Sequence, residues 1–163
     1  MTVNVNKKYI LILLILLGAG VFVSFYLFAL NKNQENQPTG EKLKITVFYS
    51  PNCSCCQEYL TYLSAQGFQV EKKETRDMLS VKEKYQIPSE MESCHTAIIG
   101  NYFFEGHIPV AAIKKLLEEK PNIKGIALPG MPEGAPGMGG YKAEALKIYS
   151  VLKDSNVSEF GKY

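Results

Sequence analysis

Four cysteines and two histidines carry the reactive chemistry of this chain, and all six lie between residues 53 and 107. Cys53-Ser54-Cys55-Cys56 packs three thiols into four residues, and Cys94-His95 sets a fourth thiol beside an imidazole. A thiolate is both a nucleophile and a metal ligand, and the start of a helix lowers a thiol's pKa. Cys53 and Cys56 form a CxxC pair on one helix face, which is a redox spacing. Cys55 alters that reading, because a redox pair needs two sulfurs and a third can trap or scramble the disulfide. Neighbouring helical positions project about 100° apart. Cys55 and Cys56 therefore do not easily meet on one tetrahedral ion, although each can serve one of two adjacent ions. Several thiolates with an imidazole suit a soft ion such as Cu(I), in one or more ions. Zinc in a Cys₃His site is the less favoured ion. A third possibility is a pair of disulfides, for example Cys53 or Cys56 to Cys94 plus one other. Bridges within the CxCC segment close short loops and would stabilise little.

His95 is a ligand candidate because it abuts Cys94. Secondary candidates are His107, in Glu105-Gly106-His107, and the thioethers Met131 and Met138. Met78 and Met91 read as packing residues.

The elements that must position these groups follow from periodicity. Leu43, Ile45, Val47 and Tyr49 alternate with Lys44, Thr46 and Phe48, which predicts a strand that ends at Ser50-Pro51-Asn52. A helix is expected from about Cys53 to Gln66, with Leu60 and Leu63 inward and Gly67 as a glycine cap. Phe68 to Lys72 is a second strand, and Asp77 caps a short helix. Thr96 to Ile99 and Tyr102 to Glu105 flank Gly100-Asn101, a hairpin turn. Pro109 is expected at the first position of a helix ending before Pro121. Leu128 to Gly140 has neither period and reads as a loop. Leu146 to Leu152 fits either period, and Val157 to Phe160 suggests a closing hairpin. The order is strand, helix, strand, helix, strand, strand, helix. It predicts an α/β, thioredoxin-like mixed sheet flanked by helices, with a C-terminal β-hairpin. In that plan the start of the third strand lies beside the start of the first helix, which would bring all four thiols together.

The chain ahead of this domain is different. Tyr9 to Leu30 is 22 residues without a charge, about 33 Å as a helix, enough to cross a bilayer core. The run is longer than a signal-peptide core, and no small-x-small site follows it. An uncleaved transmembrane helix is expected at 9–30, after a cytoplasmic tip at 1–8 and before a flexible linker at 31–42. Residues 43–163 form the exported domain. Lys7 and Lys8 precede the span, which places that domain outside, in a disulfide-permissive compartment. Residues 1–40 hold three basic and one acidic side chain, and the remainder holds 15 of each. A neutral domain without a basic stripe argues against nucleic-acid binding.

These blocks resemble the CopG family of bacterial copper-resistance proteins, unrelated to the plasmid repressor of the same name. The resemblance runs from about Lys44 to Tyr163. It is carried by Tyr49-Ser50-Pro51-Asn52-Cys53-Ser54-Cys55-Cys56, Ser93-Cys94-His95-Thr96-Ala97, Glu105-Gly106-His107-Ile108-Pro109, Leu128-Pro129-Gly130-Met131-Pro132 and Gly134-Ala135-Pro136-Gly137-Met138. It implies a thioredoxin-like fold, export to the periplasm and a copper site on Cys53, Cys55, Cys56, Cys94 and His95. Ser54 stands where family members often carry Gly, and the leader reads as uncleaved where theirs is often removed. The expected function is a copper-binding protein of resistance or homeostasis, tethered to the inner membrane by one pass and facing the periplasm. Its expected partners are copper ions and other periplasmic copper-handling proteins. Thiolates favour Cu(I), so copper reductase activity is an associated expectation. The rival is a thiol–disulfide oxidoreductase in which Cys53 attacks and Cys56 resolves.

Overall fold

The structure, a computed structural model, describes residues 20, 22–28 and 42–163. The chain divides into two units, Met1–Glu41 and Lys42–Tyr163. In the first unit, residues 22–28 are helical and exposed. Most of the span expected at 9–30, the tip at 1–8 and all but the end of the linker lie outside the described residues. Among the described residues no helix is long and apolar enough to cross a membrane.

The second unit is one mixed seven-stranded sheet in the order β2-β1-β3-β4-β5-β6-β7. β1 (Lys44–Tyr49) pairs in parallel with β2 (Gln69–Glu74) through helix α1 (Ser54–Ala65). β3 (His95–Ile99) lies antiparallel to β1, and β4 (Tyr102–Glu105) returns beside it through the expected turn. Helix α3 (Val110–Glu119) then crosses to β5 (Ile123–Ala127), which runs parallel to β4. β6 (Lys147–Leu152) and β7 (Val157–Lys162) add the antiparallel hairpin. A short helix, α2 (Met78–Lys84), follows β2, with Asp77 accepting the Ser80 N–H at 3.0 Å.

Two differences from the sequence expectation matter. β5 was not anticipated, because Lys124 and Gly125 break the apolar run of Ile123–Ala127. Pro109 caps α3 rather than opening it, and its carbonyl accepts from Ala112 and Ile113. Leu146 to Leu152, legible either way, resolves as a strand because it pairs on both sides.

The core forms by alternation. Ile45, Val47 and Tyr49 point to one face of β1, where Cys56, Tyr59, Leu60 and Leu63 of α1 and Ile113 and Leu116 of α3 pack on them. The helix spacing of 56, 59, 60 and 63 is one buried stripe. A fully buried Leu contributes about 1.5–3 kcal/mol. α1 ends as expected: Phe68 N–H reaches the Leu63 carbonyl at 3.1 Å and Gly67 N–H the Ser64 carbonyl at 3.1 Å. Ile87, Met91, Phe103, Ala127 and Val151 form a second cluster, with Phe103 facing opposite to its neighbour Phe104 on β4.

Candidate metal centre

The end of β1 and the start of β3 are directly paired, Tyr49 against His95. The chain leaving β1 turns at Ser50, where the carbonyl accepts from Cys53 N–H at 3.1 Å, and enters α1 with Cys53 as N-cap. This geometry sets the CxCC segment against Cys94, 38 residues beyond Cys56. The sulfurs of Cys53, Cys55, Cys56 and Cys94 all lie within 4.8 Å of one another. Cys53 and Cys56 are joined as a disulfide, while Cys55 and Cys94 are free thiols. The bridge joins the two cysteines of the redox spacing and leaves Cys94 out. Cys55 Sγ is 3.5 Å from Cys53 Sγ and 3.9 Å from Cys94 Sγ. The vicinal pair therefore does turn its sulfurs into one group, despite the angular spread expected of adjacent helix positions.

A second group shares Cys94. Its sulfur is 3.3 Å from His95 Nδ1 and 3.2 Å from His107 Nε2. His107 Nδ1 lies 2.7 Å from the Pro136 carbonyl, which can only accept. Nδ1 therefore carries the proton, and the Nε2 lone pair faces the thiol. His95 is fully buried, and its Nε2 has no hydrogen-bond partner among the described residues. The two imidazoles meet edge to face at 4.8 Å, and Tyr59 covers them at 4.5 and 5.3 Å. Tyr59 is held by donating its hydroxyl to the Ile108 carbonyl at 2.8 Å.

Burial sets the protonation. It pushes His95 down to about 3, with His107 and Lys82 adding to the effect. His107 is lowered too, chiefly by burial and against its Pro136 bond. Both rings are thus neutral, as ligands must be. Burial and the neighbouring Cys55 push Cys94 up to about 12. Without a cation Cys94 is a thiol, and a bound cation must displace its proton. The Tyr59 hydroxyl is likewise raised well above its ordinary value, first by burial and then by the neighbouring Tyr62 hydroxyl.

The Gly/Pro segment is folded down onto this site rather than free. Ala135 is buried, and Gly137 sits at φ 78°, where a Cβ would fall 2.7 Å from Tyr59 N. Met138 is half-buried and packs on the same core cluster as Cys53, Cys55 and Cys94. Met131 is 43% exposed. Met91 is a core residue of the second cluster, consistent with its reading as packing.

Of the expected residues, the structure brings together Cys53, Cys55, Cys56, Cys94, His95 and His107. The Pro136 carbonyl and the Tyr59 ring were not anticipated. Tyr59 could have been found, since it falls three residues after Cys56 on the buried stripe. Sulfur and neutral imidazole are soft and borderline donors. This donor set fits a soft metal ion.

Fold and site together define a mixed α/β domain with a cysteine–histidine cluster compatible with metal binding. A family model described as a protein of unknown function, DUF411, matches residues 91–138, which include Cys94, His95, His107, Met131 and Met138. No curated protein matches. Two solved structures, of copper resistance protein CopG in forms 1 and 2, are each 39% identical to this chain with a TM-score of 0.70. Each covers 76% of this chain, and 98% and 99% of their own lengths are matched. The chain belongs to the CopG copper-resistance family.

Proposed function

We propose that this protein binds Cu(I) in copper resistance or homeostasis. In this reading its domain is thioredoxin-like and tethered to the inner membrane through residues 9–30, facing the periplasm. Copper is cargo or substrate, held by Cys53, Cys55, Cys56 and Cys94, with His95 and His107 assisting. The observation that carries the reading is the convergence of four sulfurs and two neutral imidazoles around Cys94. That donor number exceeds what one dithiol exchange needs, and it supports room for more than one ion.

The Cys53–Cys56 disulfide favours a redox component. Oxidising that dithiol releases two electrons and two protons, which suffices to take two Cu(II) to two Cu(I). The same pair keeps a thiol–disulfide oxidoreductase as the second reading. There, external disulfides take the place of copper as the electron acceptor.

Cys55 separates the two. A redox enzyme needs Cys53 and Cys56 and should tolerate Cys55→Ser. A copper site should lose bound ions in Cys55→Ser about as severely as in Cys53→Ser. The test is Cu(I) stoichiometry against a competing chelator for the four single Cys→Ser variants, reduced and oxidised, with circular dichroism as folding control. Copper binding that is unchanged in Cys55→Ser, or equal in the oxidised and reduced protein, sinks the thiolate-cluster reading.

A further inference from the structure

His95 and Thr96 are consecutive on β3 and so face opposite sides of the sheet. On the Thr96 side lies a second buried polar group that the metal centre does not use. Glu105 is completely buried and Lys82 is 5% exposed. Three donors converge on the Glu105 carboxylate. The Lys82 ammonium and the Ser93 N–H both reach Oε1, the latter at 2.6 Å, and the Thr96 hydroxyl reaches Oε2 at 2.6 Å. Ser93 and Thr96 bracket Cys94-His95, so one carboxylate grips the chain on both sides of the ligand pair.

The arrangement answers a need of the fold. His95 is fixed by the sheet, through its pairing with Tyr49 and the Gly106 N–H to its carbonyl at 3.0 Å. Ser93 and Cys94 precede β3 and lie outside that ladder. The Ser93 N–H is anchored by Glu105 instead. Gly106 completes the close fit: at φ 79°, an added Cβ would fall 2.7 Å from Ser93 Oγ. Stability alone does not account for such a pair, since apolar side chains of similar volume commonly serve as well.

We propose that Lys82 and Glu105 form a positioning pair for Cys94. Glu105 holds the Ser93 peptide, which presents the Cys94 thiol to Cys55, His95 and His107, and Lys82 balances the buried carboxylate. The inference rests on the copper reading only for its affinity readout.

The test uses two double variants of the full chain, Lys82→Met/Glu105→Gln and Lys82→Met/Glu105→Leu. Both remove both charges, so neither leaves a lone buried ion. The first keeps an oxygen acceptor for Ser93 N–H and the second does not. The Gln pair should stay near wild-type Cu(I) affinity. The Leu pair should lose about tenfold or more, the range for residues that orient ligands. In a Cys94→Ser background the two pairs should become equal, since their difference acts through Cys94. A readout without copper is the alkylation rate of Cys94 relative to Cys55 in the reduced chain, by mass spectrometry. It should shift in the Leu pair and not in the Gln pair. In the wild type, the Ser93 amide should exchange with solvent as slowly as the amides of β3, a measurement that needs no variant.

Equal affinities and equal alkylation ratios in the two pairs would overturn the proposal. So would a Leu-pair deficit that persists in Cys94→Ser, or a fast Ser93 amide. If the wild type binds no Cu(I), the copper reading fails, and alkylation and exchange alone decide the positioning role.

Discussion

Across β3 two buried polar groups stand back to back, and they are built on opposite principles. On the Thr96 side, Glu105 meets Lys82, Ser93 and Thr96, and every partner is a donor facing an acceptor. Burial raises the pKa of Glu105, and those three contacts oppose the rise. On the His95 side, Cys94 faces two imidazoles and a second thiol, and a buried ring nitrogen has no partner among the described residues. Both Glu105 oxygens are met by donors, whereas the other group gathers soft thiol and imidazole groups and leaves a ring nitrogen without a partner; Ser93 Oγ too has none among the described residues. A saturated buried network fixes structure, whereas unused donors of one chemical softness are capacity for a ligand. The comparison separates scaffold from site without reference to any relative.

Breaking the saturated side should cost the most stability. Glu105→Ala leaves the Lys82 ammonium buried and unpaired, which typically destabilises by about 3–5 kcal/mol. Urea denaturation of the reduced chain measures it, and a loss below about 1 kcal/mol would mean that Lys82 escapes to water. Breaking the open side should do the reverse. Cys94→Ser should leave stability nearly unchanged but weaken Cu(I) binding by more than about a hundredfold, beyond the range of a residue that only orients ligands. Chelator competition with denaturation on the same sample checks both halves.

Protons offer a milder probe of the same contrast. Cys94 is pushed up to about 12, so through neutral pH it binds an ion only by releasing a proton. Affinity should rise about tenfold per pH unit from this one group. His95 and His107 are already neutral in that window and add no dependence. In the metal-free chain the sign is also positive. The folded His95 pKa is about 3 against an ordinary 6.5, so the unfolded chain binds the extra proton. Stability contributed by the neutral ring is fully present above about 6.5 and is lost as pH falls toward about 3. His107 is lowered too and acts in the same direction. His95→Gln should flatten the acid limb of a stability–pH profile, and an unchanged limb would show that His95 titrates normally.

How much of this is legible in the sequence depends on range. Alternation at Ile45, Val47 and Tyr49 and the stripe through Leu60 and Leu63 are local patterns, and they led to β1 and α1 directly. Convergence of Cys94 on the CxCC segment followed from topology, since a strand–helix–strand crossover and a hairpin leave few places for the third strand. β5 was illegible because Gly125 and Lys124 erase its apolar signature. Gly125 is there for packing, since a Cβ would fall 2.2 Å from the Phe103 carbonyl. The Lys82–Glu105 pair was equally hidden. A lysine in a short charged helix reads as solvated, and only the fold reveals that Lys82 reaches a carboxylate 23 residues away. The Pro136 carbonyl that fixes His107 lies 29 residues along the chain, inside a segment with no period.

The smallest expected effect sharpens the boundary of the open side. Met131 and Met138 were equivalent in sequence, two thioethers in one Gly/Pro loop. The fold distinguishes them. Met138 is half-buried and packs against the core cluster, as Cys53, Cys55 and Cys94 also do. Met131 is 43% exposed, at a φ of 45°. A Met-to-Leu change nearly conserves volume and costs below about 1.5 kcal/mol even in a core. It removes the soft sulfur while leaving the packing. Met138→Leu should therefore weaken Cu(I) binding by about threefold to tenfold, the loss of one weak soft ligand at the edge of a thiolate site. Met131→Leu should leave affinity unchanged, and both variants should denature with the wild type. Chelator competition on the reduced chain resolves a threefold change. Equal losses in the two variants would mean that the loop rearranges around copper, and that the side turned toward the thiols extends further than the metal-free fold shows. No loss in either would confine the site to sulfur and imidazole from the CxCC segment, Cys94-His95 and the segment that follows β4.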